Sequence, residues 1–359
     1  MIGIIGGYGN IGLHAGGTLK KNLDEPFRIA GRNFAHASKE AQELYKQDEW
    51  YQIKENTREE WAGFCKSLRL ILCCADLKKD FMVLLNEIAA ENSCPVVYVS
   101  INKPEQVKAE GTFIYGAGSI PGLSGILPQY LRREFDSVCS QDFYYGAREV
   151  FSCTAARDYV EGLMSNTNYS MAMWKKDKVV PYEQAVKNPK VEDVFRGMKY
   201  FPYFDEESQY VSNKLHLREG RWHMCIHGEH TIKKLERVRF DYAKDPEKAI
   251  ADICQASKLD CFGIQKRAAF VCNMEGMCGT ELQKKTLILT CEDSSKLTGS
   301  VAAVTALLVW EQEMEKGQYL LCEAKQNCKV VEKLLKVNEE VRMEIINDDE
   351  QSLEVEGEI

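Results

Sequence analysis

Ile2-Gly-Ile-Ile-Gly-Gly7-Tyr8-Gly9-Asn10-Ile11-Gly12 stands at the head of the chain, directly after Met1. Its first four residues form an uninterrupted apolar run, the pattern of a short strand buried on both faces. Gly7, Gly9 and Gly12 reproduce Gly-x-Gly-x-x-Gly, and residues 10–21 continue as an amphipathic helix. Each glycine has a physical task in such a loop. Gly7 permits the tight turn, Gly9 lets the backbone approach a pyrophosphate, and Gly12 lets the helix pack close to the strand. The pyrophosphate, passing Tyr8, Asn10 and Ile11, then rests at the helix N-terminus, where unpaired N–H groups and the helix dipole favour an anion. The motif alone is weak, but strand, loop, helix and second strand in that order make it a dinucleotide-binding unit.

Outward from this loop, short apolar runs alternate with amphipathic stretches. Strands are predicted at 27–30, 68–74, 95–99 and 113–115. Helices are predicted at 38–46, 57–67 and 77–91, with a short one after Pro104. The second of these opens on the capping box Thr57-Arg-Glu-Glu60. Strands apolar on both faces and separated by helices imply a parallel sheet covered on both sides, a doubly wound α/β domain. The strand at 27–30 ends Ala30-Gly31-Arg32-Asn33, without the acid that accepts from the ribose hydroxyls of NAD. Arg32, with Asn33 beside it, is placed to meet a 2′-phosphate and to stack on adenine, so NADP is expected rather than NAD.

The pattern changes after Gly116. Residues 122–135 and 154–164 read as helices, 168–215 as an irregular aromatic-rich stretch, and 246–258 as a helix. Strands are predicted at 221–227, 235–240, 268–274 and 286–291, giving an α+β second domain. The apolar helix at 298–310 and the strand at 318–322 are too few to fold alone and are assigned back to the first domain. The expected division is 1–120, 121–292, 293–335 and an acidic tail at 336–359.

Bulk composition fits this plan. The 359 residues are 45% hydrophobic and 28% charged, enough for about two packed domains. No apolar run approaches the ~18 residues of a membrane span, and the start carries no cationic stretch before its apolar residues, so no signal peptide is read. The fourteen cysteines, with no Cys-x-x-Cys spacing among them, point to free thiols in a reducing compartment, the cytoplasm. The formal charge is −8, and residues 337–359 alone account for it, with nine acids against Arg342. A neutral body without a basic stripe argues against nucleic acid or an anionic membrane as a partner. The tail reads as a solvated or disordered end.

Gly116-Ala-Gly-Ser-Ile-Pro121-Gly122-Leu-Ser-Gly-Ile-Leu-Pro128 resembles the Pro-Gly-Leu-Ser loop of saccharopine dehydrogenase-like NADP-dependent reductases. The glycine-rich start, the Gly31-Arg32 strand end and the late apolar helix with its following strand are similar to that family too, from residue 2 to about 335. The resemblance implies a Rossmann domain to which the chain returns near its end, and a second domain that carries substrate contacts and often a dimer interface. It implies hydride transfer between a nicotinamide and a carbon–nitrogen bond of a small, amino-acid-like substrate. Cofactor contacts are then expected at Cys74, Ala75, Ser100 and Gly118, and substrate contacts at Pro121 and Gly122. The strand ends Cys73-Cys74-Ala75-Asp76 and Tyr98-Val99-Ser100 depart from the family's Gly-Pro turn and aspartate, which marks a divergent member. An opine- or polyamine-type dehydrogenase, or a non-catalytic dinucleotide sensor, are the alternatives.

Four of the six histidines, His216, His223, His227 and His230, fall within fifteen residues. His223, Cys225 and His227 share one face of a strand. With no fourth ligand at a usual spacing, no metal is expected there; His223 is the candidate proton donor. On the predicted helix, Arg157 and Asp158 are candidate substrate contacts, Arg157 as a bidentate partner for a carboxylate, and Tyr159 is a candidate acid. Tyr210-Val-Ser-Asn-Lys214 matches a short-chain dehydrogenase motif by chance. The pairs Cys272 and Cys278, and Cys322 and Cys328, read as structural thiols.

Overall fold

The computed structural model describes residues 1–104, 109–164, 169–182 and 194–347. The chain divides into two compact units, the first of Met1–Ile126 and Ser295–Glu339, the second of Leu127–Ser294 and the residues from Glu340 onward.

The first unit begins with β1 (Ile2–Ile5), α1 (Asn10–Asn22), β2 (Phe27–Gly31), α2 (Lys39–Leu44), β3 (Glu49–Gln52) and α3 (Arg58–Cys65). It continues with β4 (Leu70–Cys73), α4 (Lys79–Glu91), β5 (Val96–Tyr98), β6 (Thr112–Tyr115) and α5 (Leu123–Leu131), within which the boundary between the units falls. In the second unit come β7 (Ser137–Arg148), α6 (Cys153–Met164), β8 (Tyr169–Ser170), β9 (Ala172–Lys175), β10 (Lys178–Pro181), β11 (Met198–Phe204) and α7 (Glu206–Lys214). They are followed by β12 (Glu219–His227), α8 (Glu229–Glu236), α9 (Val238–Lys244), α10 (Pro246–Asp260), β13 (Arg267–Cys278) and β14 (Glu281–Cys291). The chain ends with α11 (Ser294–Trp310), β15 (Gly317–Leu320), α12 (Cys328–Val337) and β16 (Arg342–Asn347).

The first sheet has seven strands in the order β15-β6-β5-β4-β1-β2-β3, all parallel. The strand order reverses at β1, with β2 on one side and β4 on the other, so the ends of β1 and β4 form the switch point of a Rossmann sheet. β1 and β4 are buried at every position because helices cover both faces. β15 extends the sheet beyond β6, and α11 lies against α1: a Cβ on Gly299 would come 2.7 Å from the Ile11 carbonyl oxygen.

The second sheet is mixed, in the order β10-β9-β12-β7-β13-β14-β16, with β11 branching from β12. β12 runs parallel to β7, and β13 antiparallel to it. Helices α6, α9 and α10 bury a cluster of Ala156, Val160, Val238, Ile250, Ile253 and Cys254.

Several expectations are corrected. Residues 235–240 are the end of α8 and the start of α9, not a strand. The alternation of Val238 and Phe240 misleads there: Ile232 and Val238 are the buried positions, while Phe240 stays exposed. β7, the longest strand beside β13, and the edge strand β3 were not read from the sequence at all. The tail expected from 336 begins instead as the end of α12 and β16, which pairs antiparallel with β14 through Met343↔Leu289 and Ile345↔Leu287. Apolar alternation at Met343 and Ile345, hidden among acids, explains the strand. The short helix expected after Pro104 falls partly on residues 105–108, outside the described residues.

Candidate functional site

At the carboxyl edge of the first sheet the strand ends line up. The amide N–H of Gly6 donates to the Ala30 carbonyl at 2.8 Å, that of Cys74 to Ile5 at 2.9 Å, and that of Val99 to Cys73 at 3.0 Å. Each bond extends the ladder just past a strand, so the loops after β1, β2, β4 and β5 leave from one rim.

The loop after β1 is shaped by crowding. Gly6 holds φ +72° and its carbonyl accepts from the Gly9 N–H at 3.0 Å, which closes the turn. The turn therefore belongs to Gly6 and not to Gly7, whose place is explained by packing: a Cβ there would sit 3.0 Å from Ile29 and 3.2 Å from Ile4. The adjacent pair Gly6-Gly7 was the signal for this. A Cβ on Gly12 would lie 2.2 Å from the Gly6 carbonyl oxygen, so α1 starts as close to β1 as backbone allows. Gly9, by contrast, would meet only that oxygen, at 3.3 Å, leaving its outer side open. It is the N-cap of α1, no side chain caps the first N–H groups, and the first turn holds no acid. Asn10 and Ile11 supply the first backbone N–H groups of the helix. This is the form of an anion cradle, and a dinucleotide pyrophosphate fits it.

Beyond β2 the chain turns at Gly31-Arg32-Asn33. Tyr8 leans across Gly31, where a Cβ would come 2.2 Å from its ring, and the Tyr8 hydroxyl accepts from the Asn33 N–H at 3.4 Å. Tyr8 also meets Phe34 edge-on at 5.7 Å and stacks on Trp50 at 6.2 Å. Of these two aromatic neighbours, Trp50 escaped the sequence reading because it lies on the missed strand β3. Arg32 is exposed, and none of the described ion pairs takes its guanidinium; only its carbonyl is held, by Gln52 Nε2 at 2.7 Å. Asn33 spends its side chain capping the next turn, accepting from the Ala35 N–H at 3.0 Å.

The remaining candidates on this unit follow the rim. Ala75 lies against Gly6, within 3.1 Å of where a Cβ would sit. Burial pushes the neighbouring Cys74 thiol well above its usual range, so it is no nucleophile. The Ser100 carbonyl accepts from Gly116 at 2.9 Å and its hydroxyl from the Asn102 N–H at 3.2 Å. The Gly116–Gly122 loop folds on itself: the Gly118 N–H donates to the Pro121 carbonyl at 3.1 Å, and a Cβ on Gly122 would lie 2.2 Å from the Gly118 carbonyl oxygen. Ser119 and Thr298 share a 2.6 Å hydroxyl hydrogen bond that ties this loop to α11.

In the second unit, His223 is 2% exposed. Its Nδ1 faces the Phe143 carbonyl at 3.1 Å and so carries the proton. Nε2 then accepts from the Tyr182 hydroxyl at 3.0 Å, and the ring stacks on Tyr144 at 4.5 Å. Burial lowers its pKa to about 4. The imidazole is thus neutral at neutral pH, with Nδ1 turned to the Phe143 carbonyl and Nε2 to the Tyr182 hydroxyl. Beside it Arg221 pairs with Asp142, and with Glu219 at 3.2 Å. Cys225 is buried on the same face and packs with Tyr144 and Met198. Among the described residues no three His, Cys, Asp or Glu side chains gather as a metal site.

On α6, Arg157 Nη2 donates to both carboxylate oxygens of Glu247, each at 2.8 Å. The bidentate partner is thus a carboxylate of α10, where the sequence reading placed one on the substrate. Asp158 is exposed. Tyr159 packs against Phe151 at 6.2 Å, and burial pushes its hydroxyl up to about 12.

No family model matches the sequence, and no curated protein matches it. Solved structures do. The apo, histidine-tagged saccharopine dehydrogenase (L-Glu forming) from Saccharomyces cerevisiae aligns with a TM-score of 0.65 at 14% identity, covering 96% of this chain and 99% of that one. The DAP dehydrogenase of C. glutamicum in complex with DAP aligns with a TM-score of 0.48 at 12% identity, covering 93% of this chain and 98% of that one. At such identity the first likeness speaks for architecture alone. The chain has a saccharopine dehydrogenase-like fold.

Proposed function

We propose that the chain is an NADPH-dependent oxidoreductase that reduces the carbon–nitrogen double bond of a small, amino-acid-like imine. One observation carries the reading: a helix N-terminus without a side-chain cap behind Gly6–Gly12, with an exposed Arg32 that takes part in none of the described ion pairs at the end of β2, where NAD-binding sheets carry an acid. When bound, the nicotinamide supplies the hydride. The chain's part is to hold and orient it. Backbone N–H groups of α1 take the pyrophosphate, Arg32 takes the 2′-phosphate, and Tyr8, Phe34 and Trp50 give the adenosine end an apolar wall. Ser100, Gly118 and the Pro121-Gly122 turn line the same rim toward the substrate. Tyr159 stays protonated at neutral pH and is the proton donor of this reading, with Asp158 as its neighbour; Arg157 serves the substrate only if it leaves Glu247. The enzyme works on a small molecule as a homodimer.

The test is direct titration of the purified protein with NADPH and NADH by fluorescence, followed by NADPH oxidation with mixtures of amino acids and 2-oxo acids or aldehydes. Tighter NADPH binding and turnover with one such mixture are expected. Failure to bind either nucleotide overturns the reading, and binding without turnover on any mixture leaves a nucleotide sensor in its place.

A further inference from the structure

We propose that Cys153 and Cys254 form a peroxide-sensitive thiol pair that closes to a disulfide between α6 and α10. The two sulfurs lie 3.8 Å apart, although 101 residues separate them in the sequence. A disulfide needs a separation near 2.0 Å, so closure asks for a side-chain adjustment of less than ~2 Å within helices that already pack on each other. The two thiols differ in what they offer. Of the fourteen cysteines, Cys153 is the exposed one. It is the first residue of α6, a helix of twelve residues whose start is capped by Ser152, the Ala155 N–H donating to its hydroxyl at 3.1 Å. The sulfur therefore sits at the start of the helix, open to an oxidant from solvent. Cys254 is buried, and its S–H donates to the Cys153 sulfur. Desolvation pushes the Cys254 thiol up to about 11, so it keeps its proton at neutral pH.

The chemistry follows in two balanced steps with hydrogen peroxide as oxidant. The Cys153 thiolate attacks one peroxide oxygen, the O–O bond breaks, and a proton completes the departing water, leaving a sulfenic acid on Cys153. The Cys254 sulfur then attacks the Cys153 sulfur, and its own proton leaves with the displaced hydroxide as a second water. Two thiols are oxidised to one disulfide, one peroxide is reduced to two waters, and an external dithiol reverses the change. The link would staple α6 to α10 across the apolar cluster of Val160, Ile253 and Cys254.

The full-length protein, freed of reductant, is treated with stoichiometric hydrogen peroxide and read by intact mass and peptide mapping. Loss of two hydrogens, a Cys153–Cys254-linked peptide and a melting temperature raised by several degrees are expected, all reversed by dithiothreitol. In Cys254→Ser the reaction should stop at a sulfenic acid on Cys153 that dimedone traps, and in Cys153→Ser no link should form. Both substitutions are small, and the dimedone adduct is read whether or not stability changes. Oxidation scattered over other cysteines without this link, or an unlabelled Cys153 in Cys254→Ser, overturns the proposal.

Discussion

In the first unit the candidate site is written in what is missing: glycines without Cβ atoms between β1 and α1, a helix start without a capping side chain, and an end of β2 without an acid. At the centre of the second sheet it is the reverse. There Tyr144, Tyr182, Arg221 and His223 fill space with interlocking polar and aromatic groups drawn from β7, β12 and the end of β10. The first region is local, its glycine spacing contained within the first twelve residues. The second joins residues up to 80 apart, as in the bond from His223 to Phe143. An absent side chain at a fixed spacing is visible in a sequence, whereas a partner across a sheet is not.

The hardest blow to the first region should come from Gly12. Its Cβ would sit 2.2 Å from backbone, where nothing can yield without separating α1 from β1. Gly12→Val should abolish measurable NADPH binding, a loss beyond about 100-fold, or more than ~2.7 kcal/mol at ~1.4 kcal/mol per decade. Gly17 on the same helix provides the contrast, since a Cβ there meets nothing within 4 Å. Gly17→Ala should bind normally and stabilise the protein by about 0.5–1 kcal/mol. Parallel NADPH titrations and urea melts would show it; equal effects at both glycines would remove crowding as the cause.

The second region should break through pH instead. His223 has a folded pKa pushed down by burial to about 4 from 6.5, so at intermediate pH the unfolded chain binds more protons. Its contribution is therefore complete above pH ~6.5 and is lost as pH falls toward ~4, amounting to about 3 kcal/mol at ~1.36 kcal/mol per pKa unit. His223→Phe removes that slope, while leaving the Phe143 carbonyl and the Tyr182 hydroxyl without their partner and so lowering stability at pH 7 by about 1–3 kcal/mol. Urea unfolding of both proteins between pH 7 and 4.5 isolates the term. Parallel pH slopes in the two proteins would mean that His223 is already charged or solvated in the fold.

The same contrast explains what was legible. Strands β1, β2, β4 and β5, the capping box at Thr57 and helices α1, α4, α10 and α11 follow from local pattern: short unbroken apolar runs for the strands and α11, apolar periodicity for the other helices, and a fixed spacing for the cap. β3 was invisible, since at Glu49–Gln52 an edge strand exposes both ends and buries no position fully. β7 was hidden because its inward residues include Gln141 and Tyr144, which read as polar until the sheet encloses them. At the candidate site, the Gly-x-Gly-x-x-Gly spacing and the missing acid after β2 could be read directly. The use of Gly6 for the turn could not, nor could the burial of His223 and the pairing of Arg157 with Glu247, because each depends on residues brought together by the fold.

Arg32 tests the first region at lower cost to the fold. A charge-assisted contact to a 2′-phosphate contributes roughly 1.5–3 kcal/mol, or about 10- to 150-fold in affinity. Arg32→Ala should weaken NADPH by that factor and change NADH little, because NADH lacks the phosphate. Arg32→Asp should go further toward NADH by supplying an acceptor for the ribose hydroxyls. Equal losses for the two nucleotides would mean that Arg32 supports only the local backbone.

The smallest effect is expected at the far end of the chain. Residues 348–359 hold six acids and no base, and an acidic stretch has nothing to offer an anionic nucleotide. Truncation after Asn347 should leave NADPH affinity within about twofold, a change under ~0.5 kcal/mol. Truncation after Lys336 is a different cut, because it also removes β16 and uncovers the edge of β14, where Leu287 and Leu289 are buried. That deletion should lower the stability of the second unit and create an exposed strand edge prone to aggregation, while NADPH binding by the first unit persists. If instead the shorter truncation weakens NADPH severalfold, the acids take part in the nucleotide site, and the division of labour between a glycine-shaped first unit and a side-chain-packed second one fails at that point.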